Sequence, residues 1–388
     1  MIRALELIAV AGTLASIAYY AVCLWSAAEF LRTTKAAGEG ARFTPEIPVS
    51  ILKPLKGTDP EMYESFRSHC LQDYSEYELI FGVNDPADPA VEVVERLKKE
   101  FPLLPIRLIL CSRDLGANTK VGNLVQMLRA ARHDLIVVND SDIRVAPGYV
   151  RRVTAPLARW EVGLVTCLYR GIANRTLGSK LESVGISTDF AAGVLVARQM
   201  EGIKFGLGST LAFRRRDLEG IGGFEALADY LADDYQLGVR LARQGWKVEL
   251  SDVVVETFLP EYSTPDFLAH QLRWARTVRD SRFWGYAGIG LTFGLPWAML
   301  ALAFARGGSW AWGLLALTLA MRVAVAWGVG RSVLQDRQVL PLLYLLPLRD
   351  VVAFFVWMAS FAGHTVHWRG EVFQLRKGKL ERKETAGS

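Results

Sequence analysis

The chain has 388 residues, about half of them apolar (51%), and a formal net charge of only +5. That length holds a full α/β domain and more besides, the positive mean hydropathy is high for a wholly soluble protein, and so small a charge argues against a nucleic-acid partner. The cysteines Cys23, Cys70, Cys111 and Cys167 are scattered without a C-x-x-C, which reads as free, mostly buried thiols of a reducing compartment.

Leu7 to Leu31 is one apolar stretch, and basic Arg32 and Lys35 follow it. It exceeds the ~7–15-residue core of a signal peptide and lacks a small-x-small exit, so residues 1–35 read as an uncleaved transmembrane anchor. The two basic residues place the adjoining domain on the cytoplasmic side. Ala36 to Pro48 reads as a Gly/Pro-containing linker. Val49 to Lys53 is then a first strand, broken by Pro54, Gly57 and Pro60 before a helical Glu61 to Leu71. Tyr77 to Val83 is the second, ending in Asn84-Asp85-Pro86-Ala87-Asp88-Pro89. Strand, helix and strand return at Ile106 to Cys111, Lys120 to Arg132 and Leu135 to Asn139. This alternation predicts a parallel, doubly wound α/β sheet. Neither G-x-G-x-x-G nor a P-loop follows any strand, so a dinucleotide fold and a P-loop NTPase are both unsupported.

The β-branched run Leu135-Ile136-Val137-Val138-Asn139 ends in Asp140-Ser141-Asp142, which brings two acids to the C-terminal edge, where open α/β sheets bind ligands. One reading is a divalent cation, Mg²⁺ or Mn²⁺, held between them with a diphosphate completing its shell. The other is that Asp-Ser-Asp caps the next helix, opened by Pro147. Val162 to Leu168 is a further strand. Thr176 to Arg198 is a long, fairly polar helix whose apolar positions suit either core or lipid. Gly206 to Arg214 reads as a strand entered through a glycine turn that brings backbone close to something. Asp233 and Asp234 open an amphipathic helix, where acids also simply complement the dipole. Residues 261–284 read as an interfacial helix with His270, Arg273, Trp274 and Thr277 on one side.

After Gly285 the chain returns to membrane-like composition. Tyr286 to Ala305 and Ser309 to Gly330 are each long enough to span, joined by a turn at Arg306-Gly307-Gly308. Arg322 would cost about 2.5–3.5 kcal/mol at mid-bilayer unless it snorkels or faces protein. Val339 to Gly363 is interrupted by Pro341, Pro347 and Arg349-Asp350. A bent, re-entrant hairpin there would return the basic tail of residues 365–388 (Arg369, Arg376, Lys377, Lys379, Arg382, Lys383) to the cytoplasm, suited to anionic headgroups.

Five ordered motifs carry a resemblance. They are Lys53-Pro54-Leu55-Lys56-Gly57, Asp85 within Val83 to Ala90, Asp140-Ser141-Asp142-Ile143-Arg144-Val145, Asp233-Asp234-Tyr235 and His270-Gln271-Leu272-Arg273-Trp274. Over about residues 48 to 280 the chain resembles the ceramide glucosyltransferase-like branch of the inverting GT-A glycosyltransferases, and within it the bacterial hopanoid-biosynthesis glycosyltransferases. The resemblance implies a GT-A catalytic domain at 45–260 with a doubly wound, mixed, mostly parallel sheet. It also implies one N-terminal and two to three C-terminal membrane helices (residues 285–364), and a bacterial inner-membrane location with the catalytic domain cytoplasmic. The implied donor is a UDP-sugar, carrying glucose or N-acetylglucosamine, and the implied acceptor is a lipid hydroxyl of ceramide or a hopanoid polyol. By the same resemblance Asp85 contacts uridine or ribose, and Asp140 and Asp142 hold the divalent cation on the diphosphate. Asp234 is the general base, Arg273 pairs with the diphosphate and Trp274 faces the sugar or the lipid neck. Lys120 and Asn123 are second-rank nucleotide contacts. Two departures stand out: His270 occupies a position where the family usually has Gln or Arg, and Asp142 restores a second acid where animal ceramide enzymes tend to carry Gly. A processive polysaccharide synthase and a non-catalytic membrane scaffold are the alternatives.

Overall fold

In the computed structural model, which describes residues 2–40, 45–368 and 371–382, the chain opens on a 39-residue helix, α1 (Ile2–Gly40). The expected linker therefore starts later than Ala36: the helix takes in Gly40, and residues 41–44 lie outside the described residues. Four strands, β1 (Val49–Pro54), β2 (Tyr77–Val83), β3 (Ile106–Leu110) and β4 (Leu135–Val138), alternate with α2 (Met62–Cys70), α3 (Ala90–Glu100) and α4 (Thr119–Ala130). β1, β2 and β4 are buried at every position, as parallel strands covered on both faces must be.

The second half of the domain adds β5 (Ile143–Arg144), α5 (Tyr149–Thr154), β6 (Val162–Ile172), α6 (Leu177–Gly185), α7 (Ala191–Glu201), β7 (Leu211–Arg214), α8 (Arg215–Gly220), α9 (Asp233–Arg243) and β8 (Lys247–Phe258). The sheet order is β3-β2-β1-β4-β7-β6-β8-β5. β7 runs antiparallel to both β4 and β6, and β5 antiparallel to β8, while the remaining pairs are parallel. The sheet is mixed and mostly parallel, as expected. β8 has no counterpart in the sequence reading, because its acids hide its periodicity. Each acid finds an arginine: Arg159 for Glu249, Arg152 for Asp252 at 2.7 Å and Arg170 for Glu256 at 2.7 Å.

Thr176 to Arg198 is one continuous helical run, with α6 and α7 joined through a π turn at Ile186–Phe190. Apart from the exposed Leu177 at its start, its large apolar side chains belong to the core. Ala191, Val194 and Leu195 share one cluster with Tyr20, Cys23 and Phe30 of α1, with Leu52, Ile136 and Leu168 of the sheet, and with Val325, Val329 and Val333. The sheet and the apolar helices therefore have one core between them. All four cysteines are buried and free.

The C-terminal region departs from expectation in three places. First, Tyr286 to Ala305 is not a straight span. After α10 (Thr264–Ser281) and α11 (Phe283–Gly288), a 3₁₀ turn and a non-helical Phe293 precede α12 (Gly294–Phe304), with a 52° bend between the two segments. The Gly294 N–H freed at the break donates to the Tyr20 hydroxyl at 3.1 Å. Second, α13 (Ser309–Val325) continues through a π turn to Val333, but the stretch after Val339 does not turn back on itself. Its helix, α14 (Leu346–Ser360), is unbroken because Pro347 sits in the first turn, where no intrahelical N–H is needed. α14 lies beside α10 along its length: Leu345 packs on Phe267 at one end, and Arg279 donates to the Ser360 carbonyl at the other. Third, the tail is a folded antiparallel sheet, β9 (Thr365–Trp368), β10 (Glu371–Arg376) and β11 (Lys379–Arg382). Positive φ at both Lys377 and Gly378 makes the β10–β11 connection a type I′ hairpin. Lys379 lies over the Tyr230 ring and Arg382 meets Asp114 at 3.0 Å, both side chains remaining exposed; Arg369 and Lys383 lie outside the described residues.

By length and composition, Ile2–Thr34, Ser309–Val333 and Leu343–Ser360 are each apolar enough to cross a membrane, as is the bent pair taken as one. Arg322 faces protein, as its cost requires. Its guanidinium meets Asp350 of α14 at 2.8 Å, the Thr188 carbonyl at 3.0 Å and Asp189. Arg349 approaches the other oxygen of Asp189 at 3.5 Å.

Candidate active site

Strand register assembles the site. Leu52 pairs with Val138 and Val138 with Leu211, so the chain leaving β1 at Lys53, the chain leaving β4 at Asn139 and the chain entering β7 through Ser209 meet at one edge. The Asn139 amide fastens them, donating to the Ser209 carbonyl at 2.7 Å and the Tyr149 hydroxyl at 2.8 Å. Asp140 and Asp142 come directly after it. Ile143 pairs with Thr257 of β8, and the Thr257 hydroxyl donates to Asp142.

Asp140 Oδ1 lies 2.8 Å from Lys120 Nζ, which also reaches Asp233 Oδ2 at 3.3 Å. Asp234 accepts the Gly208 N–H on Oδ2 and the Tyr235 N–H on Oδ1, both at 2.7 Å. The glycine turn is what lets these groups converge. A Cβ on Gly208 would sit 2.8 Å from Asp140 Oδ2 and 3.3 Å from Asp234 Oδ2, so both carboxylates close on its bare side. Asp140, Asp234 and Lys120 are thus brought together, and Asp142 follows two residues after Asp140, tied to β8 through Thr257.

The electrostatics are those of crowded acids in a low-dielectric rim. Burial, and then Asp140, pushes Asp142 up to about 6; burial, and then Asp233, does the same to Asp234, also to about 6. Burial opposes the Lys120 charge, but Asp140, Asp233 and Asp234 outweigh it and hold the ammonium well above the usual lysine range. Lys53 opens the first of the five motifs but is given no role there. It is fully buried, donates to the Asp140 carbonyl at 2.9 Å and is held down at about 7 by that burial, against the pull of Asp142, Asp140 and Asp59. Asp140 and Asp142 are hard oxygen donors two residues apart on the same strand-end loop. Among the described residues no group of three or more acidic, His or Cys side chains makes a cation site. The pair suits a divalent cation when phosphate oxygens complete the shell.

Two expected contacts stand apart. Asp85 is exposed at the end of β2, two strands from β4, with its carboxylate accepting the Ala87 N–H at 2.8 Å. Asn123 is buried, and its amide is engaged in a reciprocal pair with Asn84 at 2.7 and 3.0 Å, so it supports the β2 end from below instead of facing outward.

The helix α10 supplies the other wall. His270 Nδ1 and Arg273 Nη2 are 3.1 Å apart. Because a guanidinium only donates, Nδ1 must accept, which leaves the imidazole proton on Nε2, facing Glu182 Oε1 at 3.7 Å. The Gln271 amide holds the other Glu182 oxygen. Trp274, 40% exposed, meets Phe190 edge-on at 6.1 Å, and Phe190 lies 5.1 Å from Tyr169. Burial first, then Glu182, Asp234, Asp142 and Asp140, hold the Tyr169 phenol well above its ordinary value. An aromatic path thus runs from Trp274 to the carboxylates. Glu182, Thr257 and Tyr169 escaped the sequence reading since each meets its partners only through contacts distant in sequence; the one available signal was Glu182 as an acid inside an otherwise apolar helix face.

The profile of glycosyl transferase family 21 matches residues 8–381, nearly the whole chain. The chain belongs to that family. Among curated relatives of this family 21 chain, ceramide glucosyltransferase 3 of Caenorhabditis elegans is 29% identical over 229 residues, 59% of this chain and 50% of the relative. Ceramide glucosyltransferase 1 of the same organism is 29% identical over 209 residues, 53% and 45% of the respective chains. The chain spans about half the length of these relatives. Among solved structures, a mannosyltransferase from Pyrobaculum calidifontis in complex with GDP-Man and Mn²⁺ superposes with a TM-score of 0.50, covering 91% of this chain and 99% of that one at 19% identity. The family 21 chain shares that GT-A-type fold.

Proposed function

We propose that the chain is an inverting hexosyltransferase that moves glucose or N-acetylglucosamine from a UDP-sugar to a lipid hydroxyl, of ceramide or of a hopanoid polyol, at the cytoplasmic face of a bacterial inner membrane. The observation that carries this reading is the convergence of Asp140 and Asp234 on Gly208, within reach of Lys120, with Asp142 two residues beyond Asp140 and held by the Thr257 hydroxyl. In this reading Asp140 and Asp142 hold a divalent cation, Mg²⁺ or Mn²⁺, which would supply Lewis-acid stabilisation to the departing diphosphate. Lys120 and Arg273 meet the same diphosphate as cations, and Asp85, exposed on the β2 rim, takes the uridine or ribose end.

Asp234 accepts the proton of the acceptor hydroxyl while that oxygen attacks the anomeric carbon. The bond from that carbon to the diphosphate breaks and UDP leaves, so configuration inverts. Its raised affinity for a proton suits a base working near neutral pH. Trp274, Phe190 and Tyr169 line the side from which a lipid neck would come. The apolar helices and the names of the curated relatives support a membrane acceptor. The test is transfer by purified protein in detergent with UDP-glucose or UDP-N-acetylglucosamine and with ceramide or a hopanoid polyol, product anomeric configuration being read by NMR. A β-linked product from an α-linked donor is expected; a product that retains configuration would overturn the proposal.

A further inference from the structure

The C-terminal sheet makes more specific contacts than a tail needs. Leu380 N–H donates to the Asp229 carbonyl at 2.7 Å and Leu231 N–H to the Gly378 carbonyl at 3.2 Å, so the β10–β11 hairpin pairs with the segment that runs directly into Asp233 and Asp234. Leu231 also packs with Val366, Phe373, Leu375 and Leu380, its own small core. The held segment reaches further into the site. The Tyr230 carbonyl accepts from the Asn118 amide at 2.7 Å, the Asp229 carboxylate accepts the Ala117 N–H at 3.2 Å, and Asn118 caps α4 by accepting the Val121 N–H at 3.2 Å. The second residue of α4 is Lys120.

The same hairpin is tied on its other side to α10. The Gly378 N–H donates to Asp280. Arg276 donates to the Thr365 and Ala362 carbonyls, the latter at 2.7 Å, and Arg279 to those of Ser360 and Gly363, the latter at 3.1 Å. One face of α10 therefore presents His270, Arg273 and Trp274 to the site, and another face holds the tail. Asp233 and Asp234 open a helix with no side-chain cap of its own; inside the site the Gly206 and Gly208 N–H groups hold Asp234, and the segment that leads into it is braced from outside by the hairpin.

We propose that the C-terminal sheet is a positioning element that sets Asp234 against the α10 wall, with Asp280 as the positioning residue that locks the Lys377-Gly378 turn. The inference rests on the reading of Asp234 as the base. A carboxylate oxygen at position 280 accepts the Gly378 N–H, the one of these α10 ties that reaches the turn which pairs with Asp229 to Leu231; without it α10 holds the tail only through Arg276 and Arg279 at residues 360–365, and the turn loosens relative to Arg273. Small misplacements of a reacting group are enough to slow a reaction strongly.

The experiment measures kcat for transfer and the UDP dissociation constant of the full-length protein in detergent, for Asp280→Ala, Asp280→Asn and Asp234→Asn. Expected for Asp280→Ala is a kcat lowered about 10-fold or more with UDP affinity nearly unchanged. Asp280→Asn, whose amide oxygen still accepts an N–H, recovers most of the rate. If Asp280→Ala does not fold, Leu231→Ala, which trims the same contact from the other side, must show the same split. A wild-type kcat in Asp280→Ala or Leu231→Ala, or an Asp280→Asn as slow as the alanine, overturns the positioning role. Should Asp234→Asn itself transfer normally, it is the assignment of the base that fails.

Discussion

At the scale of single residues, the crowding around Gly208 makes several expectations quantitative. Asp234 works as a base only when ionised, and its carboxyl is pushed up to about 6, so kcat should rise with pH through about 6 and level off above it. The stability effect has the opposite sense. A carboxyl whose folded-state value lies above its unfolded one favours the fold when protonated, so Asp142 and Asp234 weaken the fold as pH rises through about 4 to 6. A flat kcat profile from pH 5 to 8 would remove Asp234 from the base role. Gly208→Ala keeps an ordinary backbone yet puts a methyl 2.8 Å from Asp140 Oδ2; transfer should fall about 100-fold with little change in melting temperature, and an unaffected rate would show that the two carboxylates do not act at that point. His270→Gln supplies an amide oxygen for Arg273 and should keep UDP affinity within a few fold, whereas His270→Leu should lose it. Equal affinities for the two variants, by calorimetry, would mean that His270 does not orient Arg273. Asp140→Asn and Asp142→Asn should each abolish cation-dependent transfer, as should chelator; full UDP release in EDTA would end the cation's role.

At the scale of elements, what was legible in the sequence was whatever depends on neighbours in the chain. β1, β2 and β4 announced themselves as apolar runs, and β2 ends where the sequence says it does, at Val83. The acids at their ends were visible because strand ends are marked by prolines and glycines. What was hidden depends on pairing across the fold. The β8 acids look like a loop until Arg152, Arg159 and Arg170 neutralise them. The tail read as a basic segment suited to anionic headgroups, with no strands, because Leu375 and Leu380 have little to alternate with until the Leu231 segment covers them. Asn123 looked like a ligand contact because nothing nearby in sequence reveals Asn84 as its partner. The ion-pair group of α13 and α14 carries its own expectation. Arg322→Leu leaves Asp350 buried beside Asp189 without its cation, which should cost roughly 3–5 kcal/mol. Thermal unfolding in detergent reads this directly, and a melting temperature equal to wild type would show that the network is dispensable.

At the scale of the whole molecule, the shared core has a practical consequence. Tyr20, Cys23, Ala27 and Phe30 of α1 close the same cluster as Leu52 and Ile136, so residues 45–280 expressed alone should expose that face and fail to unfold cooperatively; a soluble fragment with a sharp calorimetric transition would contradict this. The bridge between Tyr230 and Lys379, made by the Leu380 N–H to the Asp229 carbonyl and the Leu231 N–H to the Gly378 carbonyl, also imposes a parity rule. Two segments that share a β-bridge lie in the same compartment, so the chain between Phe283 and His364 must pass through any bilayer an even number of times. The α11–α12 segment and α13 can go out and back. In that arrangement α14, lying beside α10, is expected to form a shelf in the plane of the surface, and the turn at Arg306-Gly307-Gly308 is expected on the far side of the membrane. A cysteine at Gly307 should react with an impermeant thiol reagent in sealed right-side-out vesicles, and one at Lys377 should stay silent until the membrane is opened.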